Sequence, residues 1–116
     1  MNSIVYKPWG YYQIIDQGKG YLVKNITVKP GQKLSLQSHK HRSEHWVVVR
    51  GSAIVTINED VKILKINESI YISKNAKHRL ENNESVDLLI IEVQFGKILK
   101  EEDIVRYEDI YNRKLI

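Results

Sequence analysis

The chain has 116 residues and no cysteine, and its 18 Lys and Arg against 14 Asp and Glu leave a net charge of +4. This length accommodates one hydrophobic core, so we expect a single domain over residues 1–116, while the lack of cysteine excludes disulfides, thiolate metal sites and a cysteine nucleophile. No apolar run reaches the about 20 residues that cross a bilayer, and neither a secretory signal nor a nucleic-acid-binding motif is present, so we expect a cytoplasmic protein that contacts no membrane and no nucleic acid.

An apolar–polar alternation of period two runs through most of the chain and predicts strands, because successive side chains of a strand point to opposite faces. Val, Ile, Tyr and Thr dominate these segments, and turn-forming residues separate them. In chain order the predicted strands are 11–15, 21–28, 33–39, 44–50, 52–57, 61–66, 69–72 and 86–95. Residues 100–113 are expected to hold a short helical segment. Short strands at this spacing predict an all-β sandwich or barrel.

Two of the predicted strands contain apolar runs without polar alternation, at residues 47–49 and 88–91. Strands of this composition are typically covered on both faces. The sequence therefore predicts that this part of the sheet is sandwiched or lies at a homodimer interface.

Three of the four histidines fall within the segment QSHKHRSEHW, and the fourth is His78. Gln37 and His39 point to the same side of one predicted strand, Glu44 begins the next, and His78 begins another, so the four side chains can converge. Two imidazoles, one carboxylate and one amide oxygen suit Zn²⁺, Fe²⁺, Mn²⁺ or Ni²⁺. On spacing alone, a structural or surface role for the histidines stays open.

The same residues belong to two ordered motifs that resemble those of the cupins. The first reads Gly31-x5-Gln37-x-His39-x4-Glu44-x6-Gly51 and has glutamine in place of the motif's first histidine. The second reads Asn67-x5-Ser73-x-Asn75-x2-His78-x3-Asn82 and has Asn, Ser and Asn in place of a glycine, a proline and a second glycine.

Longer segments extend the resemblance to residues 6–113, among them KPWGYY, VKNITVKPGQKLSLQSHKHRSEHWVVV, YISKNAKHRLEN, IIEVQFG and EDIVRYEDIYNR. Together they resemble the C-terminal cupin domain of type II phosphomannose isomerases. The resemblance implies a double-stranded β-helix, the small jelly-roll barrel of cupins, with one divalent ion in its mouth. Zn²⁺ is the first choice for this ion, with Fe, Mn, Ni or Co as alternatives.

The resemblance also implies the interconversion of mannose 6-phosphate and fructose 6-phosphate, and a homodimer. In that family the domain usually follows a mannose-1-phosphate guanylyltransferase domain. The glycine-rich nucleotide loop of that domain is absent here, so we expect no nucleotidyl transfer, and a separate guanylyltransferase is a candidate partner.

Aldose–ketose isomerisation moves a proton between C2 and C1 through an enediolate, which requires a positioned base and stabilisation of the charge on the sugar oxygens. His41 is the first candidate base, because it shares the strand parity of the predicted ligand His39. His45 should point the other way. Arg42 is the second candidate catalytic residue.

The phosphate of the substrate requires cations, and a guanidinium binds it through two hydrogen bonds. Arg42 and Arg79 lie next to proposed ligands and are the first candidates, although parity places Arg79 opposite His78 unless its strand bends. Lys24 and Lys40 are further candidate substrate-binding residues.

Two other functions stay open from the sequence. One is a non-catalytic sugar-phosphate-binding module, which the altered loop at residues 73–77 favours. The other is a cupin enzyme with a different reaction, either an isomerase or epimerase of another sugar or an iron dioxygenase. Gln37 argues against a three-histidine oxygenase site, because an amide is a poorer ligand than imidazole.

Overall fold

The structure is a computed structural model that describes residues 3–111, and these residues contain eleven strands and no helix. The strands form two antiparallel sheets, with the order β1-β2-β3-β10-β5-β8 in the larger and β11-β4-β9-β6-β7 in the smaller. The strands are β1 Val5–Lys7, β2 Gly10–Gly18, β3 Tyr21–Val28, β4 Leu36–Ser38, β5 Arg42–Arg50, β6 Ala53–Ile57, β7 Asp60–Leu64, β8 Ser69–Ile72, β9 His78–Glu81, β10 Leu88–Gly96 and β11 Val105–Glu108. The prediction of an all-β fold is confirmed.

The central strands of the larger sheet divide the interior into an apolar end and a polar end. Along β10, the buried residues run from Leu88 and Ile90 to Glu92 and Gln94. The neighbouring strands follow the same division, because the antiparallel register sets Ile90 opposite Val48 and Glu92 opposite Lys24. Apolar burial stabilises one end of the barrel, and polar side chains that face inward collect at the other end.

The predicted strands 21–28 and 69–72 are confirmed with their bounds, as β3 and β8. The predicted strand 33–39 is shorter than expected, since only Leu36–Ser38 forms a continuous ladder and Lys33 makes an isolated bridge to Glu81. The sequence did not predict β1 or β11.

The expected helical segment over residues 100–113 is wrong for its described part. Val105–Glu108 forms β11, which pairs with β4, and the Ser38 and Tyr107 hydroxyls lie 2.9 Å apart across that pair. The preceding turn is tied to the barrel, because the Asp103 carboxylate accepts hydrogen bonds from the backbone N–H groups of Lys40 and His41. Pairing with β4 therefore takes the place of local helical bonding. Residues 112 and 113 lie outside the described residues.

Two asparagines that replace motif glycines adopt the left-handed conformation for which glycine is favoured. Asn67 has a φ of 73° and Asn75 a φ of 67°. Asparagine visits this region more readily than other non-glycine residues. The turns of the second motif therefore keep the backbone shape that the missing glycines would have allowed.

Between residues 3 and 111, no helix has the length and apolar character needed to cross a membrane.

Candidate metal centre and substrate cavity

The polar end of the barrel contains a cavity of about 590 Å³, counting the space at its open mouth. Both sheets and the segment before β11 contribute to its wall. Its charged and polar lining consists of Lys7, Lys24, Ser35, Gln37, His39, Arg42, Glu44, His78, Glu92, Glu101 and Arg106. Trp9, Tyr12, Ile26, Leu34, Trp46, Leu80 and Ile104 form the rest.

Three of the four predicted metal ligands form one buried cluster. His39 Nε2 lies 3.4 Å from Glu44 Oε2, and His78 Nε2 lies 3.8 Å from Glu44 Oε1. One potential ligand atom from each of the three residues lies within 4.8 Å of the others. The two imidazoles thus face the two oxygens of one carboxylate, which is a donor set that suits a divalent transition metal.

Hydrogen bonds at the far side of each imidazole fix its tautomer. His39 Nδ1 donates to the Asp103 carbonyl at 2.6 Å, and His78 Nδ1 donates to the Ala76 carbonyl at 2.9 Å. Each Nε2 is therefore the unprotonated ring nitrogen, near Glu44, as second-shell bonds of metal-ligating histidines commonly arrange. Burial, with the nearby Arg42 charge, lowers the pKa of His39 to about 3. Burial also lowers the pKa of His78, so both rings are neutral, as metal ligands must be.

Gln37, the fourth predicted ligand, lines the same cavity from the strand next to that of His78. It pairs directly with His78 in the β4–β9 ladder. Its amide nitrogen donates to the Ser35 carbonyl and lies equally close to the Ser35 hydroxyl, both at 3.2 Å. Because the amide nitrogen is engaged on that side, the amide oxygen is the atom available to a metal.

Arg42 lies beside the cluster as a second buried charge. Its Nε donates to Glu44 Oε2 at 2.8 Å, and its Nη2 donates to His39 Nε2 at 3.2 Å. A third contact runs from Nη1 to the Lys100 carbonyl at 3.4 Å. Arg42 is therefore a cavity residue, because β5 directs it inward together with Glu44 and Trp46.

A carboxylate that the sequence did not single out lies in the cavity wall. Glu92 is buried and accepts a 3.0 Å bond from Trp46 Nε1 and a 2.7 Å bond from Gln94 Nε2. Burial, with the charge of Glu44, raises the pKa of Glu92 to about 7. The alternation of Glu92 and Gln94 along β10 is in itself compatible with an inward-facing position and with a surface stripe. Only the position of β10 between β3 and β5 distinguishes them.

Lys24, a candidate substrate-binding residue, also lies in the cavity lining. Its ammonium is 2.7 Å from Glu101 Oε2 and 4.1 Å from the centre of the Tyr12 ring. Glu101 comes from the turn before β11, and no sequence pattern connected it with Lys24.

The structure does not bring three of the candidate residues into the cavity lining. His41 and Lys40 follow the end of β4, where the chain bends, so the strand parity that favoured His41 no longer applies. Their backbone N–H groups bind Asp103, and Lys40 is exposed. Arg79 donates to the Leu34 carbonyl and forms a 3.1 Å ion pair with Glu108 outside the cavity lining. Burial alternates along β9, so Arg79 faces the side opposite His78.

His45 points away from the cavity, as its parity predicts. It is exposed on the outer face of β5, and its ring centre lies 4.8 Å from that of Tyr71.

A family model matches almost the whole chain. Residues 1–109 match a family model described as mannose-6-phosphate isomerase C-terminal. Among similar proteins is a mannose-1-phosphate guanylyltransferase of Salmonella typhimurium, which is 58% identical over 113 residues that cover 97% of this chain and 24% of that protein. A xanthan biosynthesis protein of Xanthomonas campestris is 55% identical over 109 residues, covering 94% of this chain and 23% of that protein. The chain thus spans about a quarter of the length of these relatives.

Solved structures confirm the double-stranded β-helix. KdgF from Halomonas sp. matches with a TM-score of 0.76 at 14% identity, covering 86% of this chain and 89% of that one. A conserved protein with a double-stranded β-helix domain from Klebsiella pneumoniae matches with a TM-score of 0.72 at 17% identity, covering 84% and 83% of the two chains. At these identities the similarity establishes the fold alone.

Proposed function

Because the chain belongs to the family described as mannose-6-phosphate isomerase C-terminal, we propose that it is a metal-dependent isomerase that interconverts mannose 6-phosphate and fructose 6-phosphate. The main support is the position of the His39–Glu44–His78 cluster, which shares one cavity with the cations Arg42 and Lys24. A phosphorylated sugar requires both features, one for its reacting oxygens and one for its phosphate.

The residues present fit a divalent ion, since two neutral imidazoles and a carboxylate converge with an amide oxygen nearby. His39, Glu44 and His78 would hold the ion, with Gln37 as a fourth ligand. When bound, a divalent ion in this place stabilises negative charge on sugar oxygens as a Lewis acid. We expect Zn²⁺ first, with Fe, Mn, Ni or Co as alternatives.

We assign the remaining chemistry to Arg42 and Glu92. Arg42 adds a fixed positive charge beside the cluster, where charge develops on the sugar. Glu44 belongs to the cluster and Glu101 is paired with Lys24, so Glu92 is the carboxylate of the cavity left to carry the proton between C2 and C1. With His41 outside the cavity lining, Glu92 takes the role that the sequence analysis gave to His41.

The isomerase proposal predicts turnover in a direct assay. The protein is incubated with mannose 6-phosphate and with Zn²⁺, Fe²⁺, Mn²⁺, Ni²⁺ or Co²⁺ in turn, and fructose 6-phosphate is measured. We expect turnover with at least one metal and its loss after chelation.

The companion variant Glu92→Gln keeps the shape of the side chain, and we expect it to retain metal and to lose about 100-fold or more in kcat.

A specific alternative outcome would replace this proposal. Binding of mannose 6-phosphate without turnover under any metal would contradict the isomerase. It would favour a sugar-phosphate-binding module that works with a guanylyltransferase, separate or fused, as in the relatives that carry that name.

The similar proteins also include xanthan and alginate biosynthesis proteins, and we propose that this chain likewise serves polysaccharide formation.

We also propose that the outer face of the larger sheet pairs with a second copy of the chain. An apolar patch formed by Val47, Val49, Tyr71 and Phe95 is exposed on this face. Exposed apolar patches of this kind mark interaction surfaces. Because its members carry no charge, the patch can pack against its own copy around a twofold axis.

The dimer proposal is tested by sedimentation equilibrium. We expect the wild type to sediment as a dimer and Val47→Glu as a folded monomer, because a buried unpaired carboxylate opposes association. Val61→Glu is the matched control, since Val61 is exposed on β7 of the other sheet and should not alter the dimer. A monomeric wild type would contradict the proposal.

A further inference from the structure

One carboxylate of the protein itself, Glu101, shares the cavity with the three cations Lys7, Lys24 and Arg42. Glu101 forms its ion pair with Lys24 at 2.7 Å. The charges of Arg42 and Lys7 also act on Glu101, and Arg42 contacts the carbonyl of the preceding residue. Burial alone would raise the pKa of Glu101, but Lys24, Arg42 and Lys7 hold it below its ordinary value. The anionic form of Glu101 is thus matched to a cationic site.

The two partners of this ion pair differ greatly in exposure. The Lys24 side chain is 6% exposed, whereas the Glu101 side chain is 53% exposed. Lys24 lies in the middle of β3, between β2 and β10. Glu101 lies in the turn between β10 and β11. The cation is therefore fixed by the sheet, while the carboxylate can turn outward with half of its surface already in water.

A buried ammonium without a partner is strongly unfavourable, so Glu101 can leave only if another anion takes its place. We infer that Lys24 and Lys7 form the subsite for the phosphate group of a phosphate monoester, and that Glu101 fills this subsite until the phosphate displaces it. The inference rests on the proposed function for the identity of the substrate.

This arrangement makes Glu101 a competitor of the ligand. Removing its charge while keeping its shape, as in Glu101→Gln, leaves Lys24 without its anionic partner and should favour an incoming phosphate. Lys24→Met removes the cation, and with it the ammonium contact on the Tyr12 ring, while keeping an unbranched apolar stem. A charged hydrogen bond contributes enough that we expect Glu101→Gln to bind inorganic phosphate about 10-fold more tightly, and Lys24→Met about 10-fold more weakly.

The test is titration calorimetry on metal-loaded wild type, both single variants and the double variant. We expect the gain from Glu101→Gln to disappear in the Lys24→Met background, because the two side chains act at one site. The bound metal is common to all four proteins and cancels in this comparison. Glu102→Gln, at the exposed neighbouring position, is the matched control and should leave phosphate binding unchanged.

Two further ligands distinguish the contribution of the phosphate group to binding from that of the sugar. The affinity for mannose 6-phosphate should change among the four proteins in the same direction as the affinity for inorganic phosphate. Unphosphorylated mannose should bind equally to wild type and to Glu101→Gln. Equal or weaker phosphate binding by Glu101→Gln, or a gain that persists with Lys24→Met, would overturn the inference.

Failure of the isomerase proposal gives a different result from failure of this one. If phosphate binding changes as expected but no metal supports turnover, the subsite stands and the isomerase proposal falls. If the wild type turns over mannose 6-phosphate but its KM is unchanged in Glu101→Gln and Lys24→Met, the isomerase stands and the subsite falls.

Discussion

Replacing His78 with alanine is expected to remove the divalent ion and, with it, the isomerase activity. His78 Nε2 faces Glu44, and its Nδ1 bond to Ala76 fixes the ring in the ligating tautomer. Loss of a second-shell partner already costs about 10- to 100-fold in metal affinity, so loss of the ligand itself should cost about 100-fold or more. Elemental analysis of the dialysed protein, together with the isomerase assay, measures both effects. His39→Ala should behave in the same way.

His45→Ala is the control for this experiment, since His45 is exposed on the outer face of β5 and stacks near Tyr71. It should retain metal at the wild-type stoichiometry. Full metal occupancy in His78→Ala and His39→Ala would show that the ion, if bound, lies elsewhere. Unfolding curves of each variant separate a loss of the site from a loss of the fold.

Arg42→Lys is expected to lower kcat by about 100- to 1,000-fold while leaving metal content unchanged. Lysine keeps the positive charge but lacks the planar fork through which Arg42 contacts both Glu44 and His39. A point charge on a flexible stem cannot hold the same two directions at once. The loss should therefore appear in the chemical step, and we would measure kcat, KM and metal content on the same preparation.

Arg50→Lys tests whether any arginine of this strand is equally sensitive. Arg50 is the last residue of β5 and is exposed, so its conservative substitution should leave turnover and metal content unaffected. If Arg42→Lys retained wild-type kcat, the guanidinium would have no special part in the reaction. If it lost its metal, its effect would be structural and the assignment to catalysis would fail.

The convergence of His39, Glu44 and His78 was predictable because its geometry depends mostly on local rules. Period-two alternation sets the inward face of a strand, and the motif spacing sets which strand ends carry the candidate ligands. His39, Glu44 and His78 follow these rules and meet in one cavity together with Gln37. The same rule correctly predicted that His45 faces outward.

Prediction failed where the chain departs from a regular strand or where distant segments meet. His41 was assigned inward on the assumption that the strand continued, but the chain bends after Ser38. The tail was expected to be helical, and β11 instead completes the edge of the smaller sheet. Strand pairing between distant segments can override local preference, because it satisfies backbone groups that a short helix would satisfy only in part.

The sequence by itself determined the all-β fold and the candidate metal ligands that converge in the cavity, because both follow from alternation along single strands and from motif spacing. Only the tertiary structure decided which charges surround those ligands. Glu92 lies in the cavity because its strand, β10, is placed between β3 and β5 in the larger sheet. Lys24 and Glu101, 77 residues apart, meet because the turn before β11 crosses the mouth of the barrel. No local pattern encodes that meeting, since it depends on how two sheets close around one polar interior.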